Sequence, residues 1–129
     1  MTLVDTSIWI AVFAREKPLE LERVLDFEEA ATCLPVVQEV LQGFRAESAH
    51  RTARDALLSL PIVESPMEES LFLEAANLYR GARRRGLTVR SSTDCLIAAC
   101  ALRHDLEVLH RDRDYQLLSA VSGLKCRTA

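Results

Sequence analysis

The stretch RSSTDCLIAACALRHDLEVLHRDRDY, residues 90–115, contains the features that decide the fold. Its apolar run from Cys95 to Leu102 is typical of a buried helix, and LEVLH at 106–110 follows as a short strand. A buried helix that leads into a short apolar strand favours a parallel sheet covered by helices on both faces. Asp94 stands directly before the apolar run, so its carboxylate either belongs to the helix N-terminus or forms part of a site.

The same alternation of short apolar strands and helices extends over the rest of the chain. Strands are predicted at 2–4, 31–34 and 61–63, with a possible last strand at 124–127. Helices are predicted from Thr6 or Ser7, from Pro18 to about Glu29, from Pro35 to Phe44, at 48–59, at about 67–85 with an end at Gly86, and at 114–121. We therefore predict a single domain over 1–129 with a three-layer α/β/α fold around a central, mainly parallel sheet.

The charge distribution leaves two interpretations open. The net charge is −3, which does not indicate nucleic-acid binding for the chain as a whole. Fourteen of the sixteen basic residues are arginines, however, and five of them lie in RGARRRGLTVR at 80–90. This run is either a basic face that contacts phosphates or a solvated helix surface.

Composition excludes several other classes of protein. The four cysteines show no CxxC spacing and the three histidines are scattered, so neither a disulfide framework nor a zinc site is predicted. No segment approaches the roughly 20 apolar residues of a membrane span. We expect a cytoplasmic protein with no membrane partner.

Acidic residues follow the predicted strands. Asp5 ends the first strand, Asp112 and Asp114 come just after the strand at 106–110, and Glu39 lies one turn inside the helix after the second strand. If the strands at 2–4 and 106–110 are neighbours, these acids and Asp94 converge at one edge of the sheet, where sites form in such folds.

Each acid also has a simpler explanation. Asp5 could serve only as a helix N-cap, Glu39 could be solvated, and Asp94 could act only on the helix dipole. Ser91, Ser92 or Thr93 could cap the helix in place of Asp94. If the acids do converge, their mutual repulsion calls for a cation, and an all-oxygen set prefers Mg²⁺ or Mn²⁺. Together with the arginine-rich flank, such a site suggests phosphodiester hydrolysis.

Three blocks of the sequence resemble the PIN-domain ribonucleases, specifically the VapC toxins of toxin–antitoxin systems. They are LVDTSIWI at 3–10, PVVQEVLQG at 35–43 and RSSTDCLIAACALRHDLEVLHRDRDYQLLS at 90–119, in order and with similar spacing. The resemblance implies an endoribonuclease that depends on Mg²⁺, with Mn²⁺ as a substitute. This chain departs from the family pattern in two places, with Arg111 where many relatives have Asn and Tyr115 where many have Phe. Neither change removes a carboxylate, so we expect activity to be retained.

The resemblance assigns roles to particular residues. The catalytic acids would be Asp5, Glu39, Asp94 and Asp112. The metal ligands would be Asp5, Asp94 and Asp112, with Asp114 close by. Supporting hydroxyls would come from Thr6, Ser7 and Ser92. Candidate RNA contacts are Arg83, Arg84, Arg85, Arg90 and Arg111.

The resemblance also implies partners. We expect a homodimer that forms a hetero-oligomer with a VapB-like antitoxin. We also expect a structured RNA substrate, and transfer RNA is favoured over ribosomal RNA. The alternative is a catalytically degenerate PIN-like module that acts only through a partner protein. A receiver-like signalling domain fits poorly, because such a domain usually has a Lys near its phospho-accepting Asp and Lys17 and Lys125 lie in the wrong parts of the predicted order of elements. No GxGxxG motif indicates a dinucleotide binder.

Overall fold

A four-stranded sheet forms the centre of the protein, whose computed structural model describes residues 1–129. The strands are Thr2–Val4 (β1), Ala30–Ala31 (β2), Glu107–His110 (β3) and Cys126–Thr128 (β4). Their order is β2-β1-β3-β4, and every pair is parallel. β1 and β3 are neighbours, with Val4 opposite Leu109, so the condition for the acids to converge is met.

Six α-helices flank the sheet: Thr6–Val12 (α1), Leu34–Leu41 (α2), Glu47–Leu58 (α3), Glu69–Arg84 (α4), Ser92–Arg103 (α5) and Asp114–Val121 (α6). One group consists of α4, α5 and α6, which pack on one another, while α1 packs on α2 and α2 on α3. The predicted α/β/α fold is confirmed, with a sheet that is wholly parallel. None of the helices combines the length and hydrophobicity needed to cross a membrane.

The helix α5 is buried almost all round, as its apolar run predicts. Ile97, Ala98 and Cys100 are fully buried in the same core as Leu3 of β1 and Leu109 of β3. Because this helix cannot shift without disturbing the core, its N-terminal turn holds a fixed position relative to the ends of β1 and β3.

Two predicted elements were wrong. The helix expected from Pro18 to Glu29 consists of two single-turn 3₁₀ helices, Leu21–Arg23 and Phe27–Glu29, because the Asp26 side chain accepts from Glu28 N and starts a new turn. The strand expected at 61–63 is only one isolated bridge, between Thr32 and Ile62. Pro61 offers no N–H to a ladder, and Glu64 turns the chain away with a φ of 55°.

Candidate active site

The carboxyl ends of β1 and β3 bring Asp5 close to the turn that contains Asp112. Asp5 follows β1 directly, and its amide donates to Leu109 O at 3.0 Å, which extends the ladder by one step. The turn 111–113 follows β3 and leads into α6. Since the strands are parallel and in register, Asp5 and this turn lie at the same edge of the sheet.

Asp5 is both a helix cap and a neighbour of Asp94, to which the Tyr115 hydroxyl connects it. Its Oδ2 accepts from Ser7 N at 3.0 Å and from Ser7 Oγ at 2.5 Å, so it caps α1. Its Oδ1 instead accepts from the Tyr115 hydroxyl at 2.5 Å. Ser7 Oγ also accepts from Arg111 N at 2.9 Å, which ties the turn after β3 to the start of α1. The two interpretations of Asp5 are therefore compatible, because each uses a different carboxylate oxygen.

Asp94 lies in the first turn of α5 and is only 5% exposed. Its Oδ1 is 3.3 Å from the Tyr115 hydroxyl oxygen, and its Oδ2 is buried with no hydrogen-bond partner. Burial, the neighbouring Asp112 carboxyl and the charge of Asp5 raise the pKa of Asp94 to about 9. An unpartnered buried carboxylate oxygen is costly, and a bound cation would remove that cost.

The expectation that the side chain of Ser91, Ser92 or Thr93 caps α5 was wrong. The cap position is Ser91, and no side chain caps the helix. The connection from α4 to α5 is held instead by Asp114, which accepts from the amides of Arg90 and Ser91 at 3.0 Å each. Ser92, predicted as a supporting hydroxyl, has an exposed side chain at the start of the helix.

Asp112 and Asp114 occupy different environments. Oxygen atoms of Asp94, Asp112 and Asp114 all lie within 4.8 Å of one another. Asp114 is fully buried and uses both oxygens on backbone amides, whereas Asp112 is partly exposed and accepts only from Asp114 N, at 3.0 Å. Asp112 therefore keeps more lone pairs free for a ligand, while Asp114 fixes the position of the α5 N-terminus.

Glu39 lies apart from the close group of three carboxylates. It is partly buried on α2, and Thr6 Oγ1 donates to its Oε1 at 2.8 Å. Glu39 and Thr93 line the same surface cavity of about 330 Å³, together with Phe72 and Leu96. The Thr6 contact holds Glu39 against α1 next to Asp5, so Glu39 is not simply solvated.

The donor set fits a hard divalent cation. All candidate ligands are carboxylate oxygens, and neither Asp5, Asp94 nor Asp112 forms an ion pair with a basic side chain. No basic side chain of the protein would compensate their charge when they ionise, and Asp94 Oδ2 is unpartnered. Oxygen-only sites of this kind prefer Mg²⁺ or Mn²⁺ over zinc or copper.

The candidate RNA-binding arginines lie in two places. Arg83, Arg84 and Arg85 are exposed at the end of α4, where Arg85 Nη1 donates to Ala120 O at 2.6 Å and Arg83 lies 5.9 Å from the Tyr79 ring centre. Arg90 and Arg111 are exposed and flank the acids directly, since their amides bond Asp114 and Ser7.

Two contributors were not found from the sequence. Tyr115 was noted only as a departure from a common Phe, yet its hydroxyl lies between Asp5 and Asp94. His110, buried at the end of β3, accepts from Asp112 N at 3.2 Å through Nδ1 and packs against the Tyr115 ring. Burial lowers the pKa of His110. No spacing rule predicts either contact, because both depend on how separate elements pack.

Comparison with known proteins gives consistent matches over nearly the full length. The family model of the PIN domain matches residues 2–121. Ribonuclease VapC11 of Mycobacterium tuberculosis is 37% identical over 131 aligned positions, which cover 97% of this chain and 96% of the relative. Ribonuclease VapC51 of the same organism is 34% identical over 128 positions, covering 97% of this chain and 90% of the relative.

Solved structures give the same fold. The structure of VapBC2 from Rickettsia felis, bound to a DNA fragment from their promoter, matches with a TM-score of 0.78 and 16% identity over 99% of this chain and 98% of that one. VapBC-5 of Mycobacterium tuberculosis, a member of the VapBC family of toxin–antitoxin systems, matches with a TM-score of 0.73 and 19% identity over 99% and 98%. At these identities the likeness concerns the fold.

Proposed function

The chain belongs to the PIN-domain family, and from this premise we propose that it is a metal-dependent endoribonuclease, the toxin of a toxin–antitoxin system. Its relatives over the full length are VapC ribonucleases, which supports cleavage of RNA as the reaction. The proposed substrate is a structured RNA, and we favour transfer RNA over ribosomal RNA as this substrate. The proposed cofactor is Mg²⁺, for which Mn²⁺ can substitute.

One observation carries the proposal, the unpartnered oxygen of Asp94. Oδ2 is buried beside two further carboxyls, and no basic side chain neutralises the group. A structural acid in the core would be paired or hydrogen-bonded through both oxygens, as Asp114 is. The environment of Asp94 is therefore that of a metal ligand, with a buried oxygen free to bind a cation.

The proposed roles follow from the contacts of each side chain. Asp5, Asp94 and Asp112 hold the metal, and Asp114 positions the start of α5 so that Asp94 points into the cluster. When bound, a divalent cation lowers the pKa of a coordinated water and neutralises charge on the phosphate.

Glu39, held by Thr6 at the edge of the surface cavity, orients the attacking water or accepts its proton. Water attack at phosphorus breaks the bond to the 3′ oxygen and leaves a 5′-phosphate. The exposed side chains of Ser92, Arg90 and Arg111 are the proposed contacts to the RNA backbone beside the acids, and the exposed Arg83, Arg84 and Arg85 are proposed as further phosphate contacts.

The proposed partners come from the same family context. The matched solved structures are toxin–antitoxin complexes, which supports a VapB-like antitoxin as the binding partner. We propose a homodimer that becomes a hetero-oligomer with this antitoxin, in the cytoplasm, where its RNA substrate is found.

The test is cleavage of structured RNA by the antitoxin-free protein. Wild type is expected to cut in Mg²⁺ or Mn²⁺, to stop in EDTA, and to resume when the metal is restored. Asp5→Asn and Asp94→Asn should each lose about 100-fold or more of the rate, because each removes charge that holds the metal. Asp55→Asn, an exposed change on α3, is the matched control.

Two results would contradict the proposal. Asn variants that cut as fast as wild type would show that the site lies elsewhere. A wild-type protein that binds its antitoxin but cleaves no structured RNA with either metal would favour the degenerate binding module instead.

A further inference from the structure

Tyr115 occupies an unusual position in the candidate site. It lies in the first turn of α6, immediately after Asp114, and is fully buried. Its ring packs against His110, with ring centres 5.1 Å apart. Its hydroxyl reaches Asp5 Oδ1 at 2.5 Å and lies 3.3 Å from Asp94 Oδ1. One oxygen atom therefore contacts two acids that are 89 positions apart in the chain.

The two contacts of the hydroxyl cannot be equivalent. A tyrosine hydroxyl has one hydrogen to donate, and the shorter distance assigns it to Asp5. The Tyr115 oxygen then separates the two carboxylates at a distance set by the packing of its ring. Since the ring is fixed by burial against His110, this distance is fixed as well.

The hydroxyl also decides which lone pairs of Asp5 remain free. Oδ2 is used by two donors, the amide and hydroxyl of Ser7. Oδ1 accepts from Tyr115 and keeps its second lone pair. Asp5 thus has a single lone pair, on Oδ1, with which to bind a cation, and the hydrogen bond from Tyr115 determines where that lone pair points.

We propose that Tyr115 is a positioning residue of the metal centre, whose hydroxyl fixes the gap between Asp5 and Asp94 and directs the free lone pair of Asp5 Oδ1 to the cation. The inference rests on the proposed metal-dependent function and goes beyond it. A phenylalanine at this position would fill the same space but would leave Asp5 Oδ1 without its donor and the two carboxyl groups without the oxygen that lies between them.

The test is the affinity of the metal-stripped protein for Mn²⁺, measured by isothermal titration calorimetry. Tyr115→Phe keeps the ring that packs on His110 and removes only the hydroxyl. Loss of a group that orients a metal ligand typically weakens binding about 10- to 100-fold, and this increase in Kd is expected here. Tyr79→Phe is the matched control, because Tyr79 is a 37% exposed residue of α4 whose hydroxyl makes no hydrogen bond; the Kd of this variant should equal that of wild type.

A second variant separates positioning from packing. Replacing Tyr115 with 4-aminophenylalanine restores a hydrogen-bond donor on the same ring and should recover most of the lost affinity. A Tyr115→Phe protein with a Kd within twofold of wild type, or with tighter binding, would overturn the inference while leaving the proposed function intact. If wild type itself fails to bind Mn²⁺, the proposed function fails and this inference fails with it.

Discussion

At the scale of single residues, Asp5 and Asp94 illustrate how one carboxylate can serve both a helix and a site. Asp5 caps α1 with Oδ2 and contacts Tyr115 with Oδ1. Asp94 lies in the first turn of α5, where the helix dipole favours a negative charge, but it has one oxygen without a partner. Asp5 therefore stabilises α1 and keeps one lone pair of Oδ1 for a ligand, whereas Asp94 keeps the whole of Oδ2.

Asp94 should make the stability of the metal-free protein depend on pH. Its pKa is raised to about 9 in the folded state, whereas an unfolded Asp has a pKa near 3.9. Between these values the folded protein retains a proton that the unfolded chain has lost, so this residue lowers the free energy of unfolding as pH rises from about 4 to about 9.

Asp94→Asn removes this dependence, because the amide is neutral throughout. The stability of the variant relative to wild type should therefore rise by at least about 1 kcal/mol between pH 5 and pH 8.5 in EDTA. Urea unfolding at both pH values measures the difference, with Asp55→Asn as the control for loss of an exposed carboxylate. Parallel pH profiles for wild type and the Asp94 variant would contradict the account, and a uniform loss of stability would show that Asp94 serves only the helix.

At the scale of elements, the ends of α4 and α5 set the geometry of the site. Gly86 follows α4 with a φ of 74°, and the bonds Gly86 N to Arg83 O and Leu87 N to Ala82 O, both 3.0 Å, form a Schellman motif. The chain then turns into the connection that Asp114 holds at the start of α5. The predicted helix end at Gly86 was correct because only glycine adopts this conformation without strain.

Gly81 within α4 and Gly86 after its end should respond in opposite directions to the same substitution. Gly86→Ala should lower the free energy of unfolding by about 1 kcal/mol, because a Cβ is strained at a positive φ although no atom lies within 4 Å of it. Gly81→Ala, in the helix interior with equally open space, should raise it by about 0.5–1 kcal/mol. Urea denaturation of both variants checks this pair, and a shift in the same direction for both would refute the assignment of the helix end.

The element that the sequence pattern mispredicted also has a physical cause. Residues 18–29 contain apolar side chains at helical spacing, but Asp26 satisfies a nearby amide with its own side chain and interrupts the helix. Hydrophobic periodicity cannot predict such a side-chain-to-backbone hydrogen bond, because it depends only on which positions are apolar.

At the scale of the whole molecule, much of the fold and family could be read from the sequence. Alternating apolar strands and helices indicated the α/β/α layers, and the ordered motif blocks indicated the family, both of which are confirmed. That β1 and β3 are neighbours could only be assumed from the sequence, because hydrophobic periodicity does not determine the order of strands in a sheet. The acids at the strand ends were identified in advance, and their roles as catalytic residues and ligands stay predictions.

The finer structure of the site could not be predicted for a related reason. The contact of Tyr115 with Asp5 joins residues 110 positions apart, and it depends on how α6 packs at the sheet edge. The different environments of Asp112 and Asp114 likewise arise from which amides lie within reach. Sequence reveals which groups are available, whereas packing decides which of their lone pairs remain free.

The location of bound Mn²⁺ tests the central claim most directly. Crystals grown with Mn²⁺ would be examined by an anomalous difference map over the whole molecule. We predict a peak bonded to Asp94 Oδ2 and to carboxylate oxygens of Asp5 or Asp112, at the carboxyl ends of β1 and β3. A map in which these acids are well ordered but manganese binds only elsewhere, or not at all, would contradict the account.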